Sequence, residues 1–227
     1  MFIGLVALPG ARDARVRVLP TYGEYYGYVI AALVVFVAFV GPEVLCTDRR
    51  TGMLGLYLAS PLSRDTYLVG KVLGIGSVLL IVTVGPPLLM LVAFVLQGAG
   101  PANVGDVFLT VGRVVLAGAC ITAFYTAIAL GVSSLTDRKA VASATLILLM
   151  LTSGGLVASL VASGAASGQL AALNIFHLPL NLARAVHGEP LLDQGLSATT
   201  IWSAWLGWTI LGAALTRWRY QHLQVVR

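Results

Sequence analysis

The residues able to do chemistry in this chain are few, and their spacing argues against most of it. Gly70-Lys71 could belong to a phosphate-binding loop, in which backbone N–H groups and a lysine cradle phosphates. It lacks the glycine five residues upstream of Gly70 and is followed by Val72 where Ser or Thr is needed. Ser153-Gly154 lies in an apolar run, where an intramembrane serine protease would place its nucleophile. Such an enzyme needs a histidine at the same depth on a neighbouring span, whereas His177, His187 and His222 fall in a loop or the tail. No His-Glu-x-x-His pair for zinc is present. Cys46 and Cys120 have neither metal-ligand spacing nor a disulfide framework and read as small core residues. No carboxylate pair lies inside an apolar run, so the usual mark of a proton relay is missing. No catalytic residue, no metal and no cofactor is therefore expected.

Charge is concentrated instead in one stretch between two long apolar runs, Gly41 to Asp65. It opens with Glu43, Asp48, Arg49 and Arg50, passes Gly52, and stops at Pro61. Thr47 or Asp48 is placed to cap a short helix. Met53, Leu54, Tyr57 and Leu58 would then share one face. Arg49 and Arg50 would occupy the first turn, which the helix dipole disfavours, so another contact should hold them. Pro61 ends that helix. Ser63 is suited to cap the following run, with Asp65 in its first turn and Lys71 two turns on. Two readings stand on these residues alone: a basic loop with a lipid-facing amphipathic turn, or a docking element for a partner.

The elements that must position this stretch are membrane spans. Of 227 residues, 58% are hydrophobic and 10% charged, with mean hydropathy +0.91. Soluble domains carry about 25% charged residues. The chain is expected to be an all-α, polytopic transmembrane bundle forming a single domain, since about 20 apolar helical residues cross a bilayer. Five full spans are expected near 24–46, 67–97, 107–134, 140–165 and 199–216. Residues 1–9 read as the stub of a sixth, and no cleavable signal peptide is evident. Tyr22, Tyr25, Tyr26 and Tyr28 form an aromatic belt at the start of the first span. Gly85-Pro86-Pro87 should kink the second. Residues 166–198 form the longest loop, whose middle is apolar enough to dip into the interface.

Basic residues set the orientation. Arg49, Arg50, Arg64, Arg138, Lys139, Arg217, Arg219 and Arg227 fall on one side, and Arg184 alone in 166–198 on the other. The first set should be cytoplasmic. Arg12, Arg15 and Arg17 conflict with this, which a missing upstream span would ease. The net charge of +5 then reports orientation and lipid contact, not nucleic-acid binding. The fourth span carries a small-residue stripe, Gly155, Ser159 and Ser163. Packing within one subunit is the preferred reading, and a subunit interface or substrate-path wall is the sharper one.

The run from Glu43 through Asp48-Arg49-Arg50-Thr51-Gly52-Met53-Leu54-Gly55-Leu56-Tyr57-Leu58-Ala59-Ser60-Pro61-Leu62-Ser63-Arg64 to Gly70-Lys71 resembles a signature of type-2 ABC transporter permeases, the membrane subunits of bacterial exporters. Their pattern here is an acidic residue, a charged pair, a Gly, a Leu-rich turn, Ser/Thr-Pro-Leu-Ser/Thr, then Gly/Ala-Lys opening the next span. The later spans and the long last outer loop also fit. The resemblance implies six spans, a cytoplasmic coupling helix at about 48–60, and an interfacial segment before the last span, here 170–185, as the outer gate region. The chain departs from the family in its nearly absent first span.

The resemblance implies a mechanical role in the cell membrane. A separate ATP-binding cassette subunit would dock at Glu43, Asp48, Arg49, Arg50, Gly52, Leu54, Tyr57, Leu58, Pro61 and Lys71. A second permease subunit, identical or not, would complete the path. The substrate class expected is hydrophobic, a lipid or drug. Rival readings are a non-transport membrane protein, either an intramembrane enzyme or an anchoring subunit, and an ion-coupled secondary transporter, which the lack of buried charge and of an internal repeat disfavours.

Overall fold

The computed structural model describes residues 20–53, 63–164, 167–193 and 195–222. Among them the fold is all helical: α1 Tyr22–Arg50, α2 Arg64–Leu96, α3 Val104–Ser134, α4 Lys139–Ala162, a 3₁₀ turn Gly168–Leu173, α5 Leu178–His187 and α6 Ala198–His222. The first four are long and apolar enough to cross a membrane. Helix α6 falls short of that apolarity, although its 25 residues extend about 37 Å. The expected stub at 1–9 lies outside the described residues.

Local chemistry sets the helix starts. Thr21 and Glu24 form a reciprocal cap: the Thr21 hydroxyl accepts the Glu24 N–H at 3.2 Å, and the Glu24 carboxylate accepts the Thr21 N–H at 2.8 Å. Such caps contribute about 1 kcal/mol. Ser63 caps α2 as expected, its hydroxyl accepting the Thr66 N–H at 3.1 Å.

Helix α3 is the axis of the bundle, with 67% of its most apolar stretch buried against 11% for α4 at the periphery. It packs against α1, α2 and α6, and α5 packs against both it and α1. Gly131 and Gly212 bring α3 and α6 into backbone contact: a Cβ on Gly131 would sit 3.1 Å from the Gly212 Cα. Small residues allow such approaches, and in lipid, close packing and hydrogen bonds hold helices together. Trp205 adds one, donating its indole N–H to the Cys120 carbonyl at 2.9 Å.

Helix α2 runs on through Pro86 and Pro87 as one helix. Each proline removes the N–H that would have bonded the carbonyl four residues back, at Val82 and Thr83. Two tyrosines of α1 replace them. The Tyr25 hydroxyl donates to the Val82 carbonyl at 2.7 Å, and Tyr26 donates to the Thr83 carbonyl at 3.0 Å. Water is absent at membrane depth, so a freed carbonyl there needs such a partner. The aromatic residues expected as a belt therefore have, in part, an interior role.

Two expectations are corrected. Thr47 and Asp48 do not cap a new helix, because α1 continues to Arg50 and ends at Thr51. An element beginning at residue 48 is thus ruled out as a separate helix start. Gly52 follows with φ +74°, a left-handed conformation that glycine adopts freely and that turns the chain out of the helix. Arg49 and Arg50 consequently sit in a last turn, where the dipole favours cations. The small-residue stripe is not packed within the subunit either. Gly155, Ser159 and Ser163 are exposed, and a Cβ on Gly155 would meet nothing within 4 Å.

Candidate functional site

The ends of α1, α2, α3, α4 and α6 that carry the basic residues converge at one end of the bundle and are tied together by charge. Arg49, from the last turn of α1, points inward with its side chain only 5% exposed. It donates to the Ser134 carbonyl at 2.8 Å and pairs with Asp137 at 2.5 Å. It thereby locks α1 to the turn joining α3 and α4. Charge-assisted bonds of this kind are worth about 1.5–3 kcal/mol, and the exposure of Asp137, at 63%, puts this one toward the lower end.

The adjacent Asp48 faces the other way. It pairs with Lys71 at 2.7 Å and accepts the Tyr67 hydroxyl at 2.8 Å, joining α1 to α2. The Lys71 ammonium also lies 5.3 Å from the centre of the Tyr67 ring, a favourable cation–π position. Tyr67 stacks on Tyr220 of α6. Arg64 donates to the Tyr220 carbonyl at 2.9 Å, and Arg217 pairs with Asp65 at 3.1 Å. Glu43 pairs with Lys139 at the start of α4 and accepts from Thr47 at 3.3 Å.

Of the residues picked out in the sequence, Glu43, Asp48, Arg49 and Lys71 are brought together, each engaged with another part of the same chain. Arg50 is exposed and has no described carboxylate partner. Gly52 is exposed beside it. Leu54, Tyr57, Leu58 and Pro61 lie outside the described residues. Sequence reading missed Asp137, Tyr67 and Tyr220, and it named Asp65 only as a first-turn residue and Arg217 only as an orientation charge. Their signal was the placing of charge and tyrosine at the same end of several spans. A cluster of three or more His, Cys, Asp or Glu able to hold a metal is not found among the described residues.

The opposite end is closed by the segment before α6. Asn181, fully buried, donates to Asp193 at 2.7 Å and accepts the Leu192 N–H at 2.9 Å. Glu189 accepts the Gly23 N–H at 3.0 Å, pinning the start of α1. Ser153 accepts the Ile175 N–H at 3.3 Å and donates to the Met150 carbonyl at 3.0 Å. Its hydroxyl thus holds this segment to α4. His187 stacks on Tyr22 with ring centres 4.9 Å apart, and burial pulls its pKa below the usual 6.5.

Several helices thus share one charged end, at which α1 stops and α2 begins. No curated protein matches the sequence. A family described as ABC-2 family transporter protein matches residues 11–222. The four apolar helices and a match over nearly the whole length agree, and the chain, a multi-pass membrane permease, belongs to the ABC-2 transporter family.

Proposed function

We propose that this chain is the permease subunit of an ATP-driven exporter, that α6 is its fifth span, and that the 51–62 connection receives the push of an ATP-binding partner. Family membership supplies the partner class. The observation that carries the coupling role is the network around Arg49 and Asp48. A displacement of the connection acts on the last turn of α1. From there it passes to α2 through Lys71 and to the α3–α4 turn through Asp137. A shared two-state element of this kind is what a ligand on the partner can bias.

Arg50, Gly52 and Met53 form the exposed lip of the docking surface, and Leu54, Tyr57, Leu58 and Pro61 are assigned to the same docking role from the sequence alone. Glu43, Asp48, Arg49 and Lys71 form its backing. The exposed stripe at Gly155, Ser159 and Ser163 on α4 faces a second permease subunit, and α1 and α4 line the path between the two. The apolar, sparsely charged spans suit a hydrophobic substrate.

The test is a mild-detergent pull-down from native membranes followed by ATPase measurement in proteoliposomes. A bound ATP-binding subunit is expected. Arg50→Glu should abolish its retention or its stimulation, while the melting profile of the permease stays unchanged. A chain that comes down alone would support the anchoring reading. Full stimulation with a correctly folded Arg50→Glu protein would refute the docking assignment.

A further inference from the structure

A groove of 860 Å³ runs between α2, α3 and α6 on the outside of the bundle. Its walls are almost wholly apolar, with Leu73, Leu80, Ala123 and Ala213 among them. On its rim Val69 is 55% and Leu73 64% exposed. These residues lie on helices that cross the membrane, so the groove opens to hydrocarbon and not to water. Its lining on α2 extends from Asp65 to Leu80, a rise of about 22 Å. One leaflet contributes about half of a hydrocarbon core of about 30 Å. The groove thus reaches from the charged end of the bundle through the depth of one leaflet.

The mouth at that end is polar. Arg217, 63% exposed, lies there, paired with Asp65 at 3.1 Å. The bond to Asp65 engages one nitrogen of the Arg217 guanidinium, and the exposure of the side chain leaves its other donors accessible at the mouth. An arginine fork matches phosphate oxygens, and basic groups at the end of a span attract anionic lipid.

We propose that the groove holds one anionic phospholipid from the leaflet on the charged side, with an acyl chain along α2 and α3 and its phosphate at Arg217. The site lies away from the stripe on α4. The proposal rests on α2 and α3 spanning the bilayer and on the reading of α6 as a fifth span beside them, and it stands or falls separately from the docking role of Arg50.

Native mass spectrometry of the full chain tests this, after reconstitution in nanodiscs of phosphatidylcholine and phosphatidylglycerol and transfer to detergent. Wild type should retain phosphatidylglycerol in preference to phosphatidylcholine. Gly76→Leu places a side chain in the groove. Its Cβ meets only the Thr122 methyl, at 3.6 Å, and leucine favours helix more than glycine does. It should reduce the retained lipid about tenfold or more. Arg217→Gln, at an exposed position, should erase the headgroup preference. Undiminished retention in Gly76→Leu overturns the proposal, as does retention in wild type without headgroup preference. So does a disulfide from Leu73→Cys to a second copy, which would put protein where the lipid is placed.

Discussion

Replacing Tyr26 by Phe isolates the repair of the proline break in α2. The substitution removes one oxygen from a residue that is 1% exposed and keeps the ring in place. The Thr83 carbonyl then loses the Tyr26 hydroxyl, while Pro87 has no N–H to offer in its place. An orphaned buried acceptor is expected to lower stability by about 1–3 kcal/mol. Interhelical hydrogen bonds in membranes average about 0.6 kcal/mol, so a value clearly above that would mark the carbonyl as having no alternative partner. The assay is reversible unfolding in mixed micelles, followed by far-UV circular dichroism. The control is Pro87→Ala, which restores an N–H aimed at the same carbonyl. In the Tyr26→Phe background it should recover most of the loss, whereas in wild type it should change little. If Tyr26→Phe is neutral, or if Pro87→Ala fails to rescue it, the reasoning is refuted.

Gly212→Leu should separate α3 from α6 and lower stability by at least about 1–3 kcal/mol, because a Cβ there would fall 2.6 Å from the Ala127 carbonyl carbon. Gly207→Leu on the same helix, with open space around it, should be neutral in the same unfolding assay. His187 gives a pH dependence of definite sign. Burial disfavours its charged form, so the folded protein binds its proton less readily than the unfolded chain does. Its contribution is therefore constant above the unfolded value of about 6.5 and should be lost as pH falls below that. Protonation would set a cation among Tyr22, Tyr26, Arg113 and Glu189, with the arginine opposing it and the glutamate offsetting it in part. A pH series of unfolding midpoints should show a step in wild type that His187→Gln removes.

The helical class and the position of the charged stretch were legible because hydropathy and charge act over whole segments. The pairing was not. Asp48 and Lys71 lie 23 positions apart in sequence, and only the antiparallel return of α2 brings them within 2.7 Å. The misplaced helix start at Thr47 came from treating a capping residue as decisive. Thr47 instead offers its hydroxyl to Glu43 one turn back, and its carbonyl accepts the Thr51 N–H at 2.9 Å, so the helix has no reason to break there. The repair of the prolines was open to inference in principle. A proline pair in one span calls for donors on a neighbour, and Tyr25-Tyr26 opens the span before it. What sequence could not supply was the depth at which the two helices face each other.

The glycine contact between α3 and α6 bears on how the protein is made. Helix α6 is less apolar than the four before it and carries Thr199, Thr200, Ser203 and Thr209 along its length. As the fifth span proposed above, it would on its own partition weakly from the insertion machinery into lipid. Held against α3, it gains a close backbone approach at Gly131 and Gly212 and an acceptor for Trp205 in the Cys120 carbonyl. The ribosome delivers α3 first, so a receiving surface is already in the bilayer when α6 emerges. The order of elements along the chain is then also an order of assembly. A rearranged gene that delivered residues 198–222 ahead of 104–134 would send out a helix with nothing to receive it.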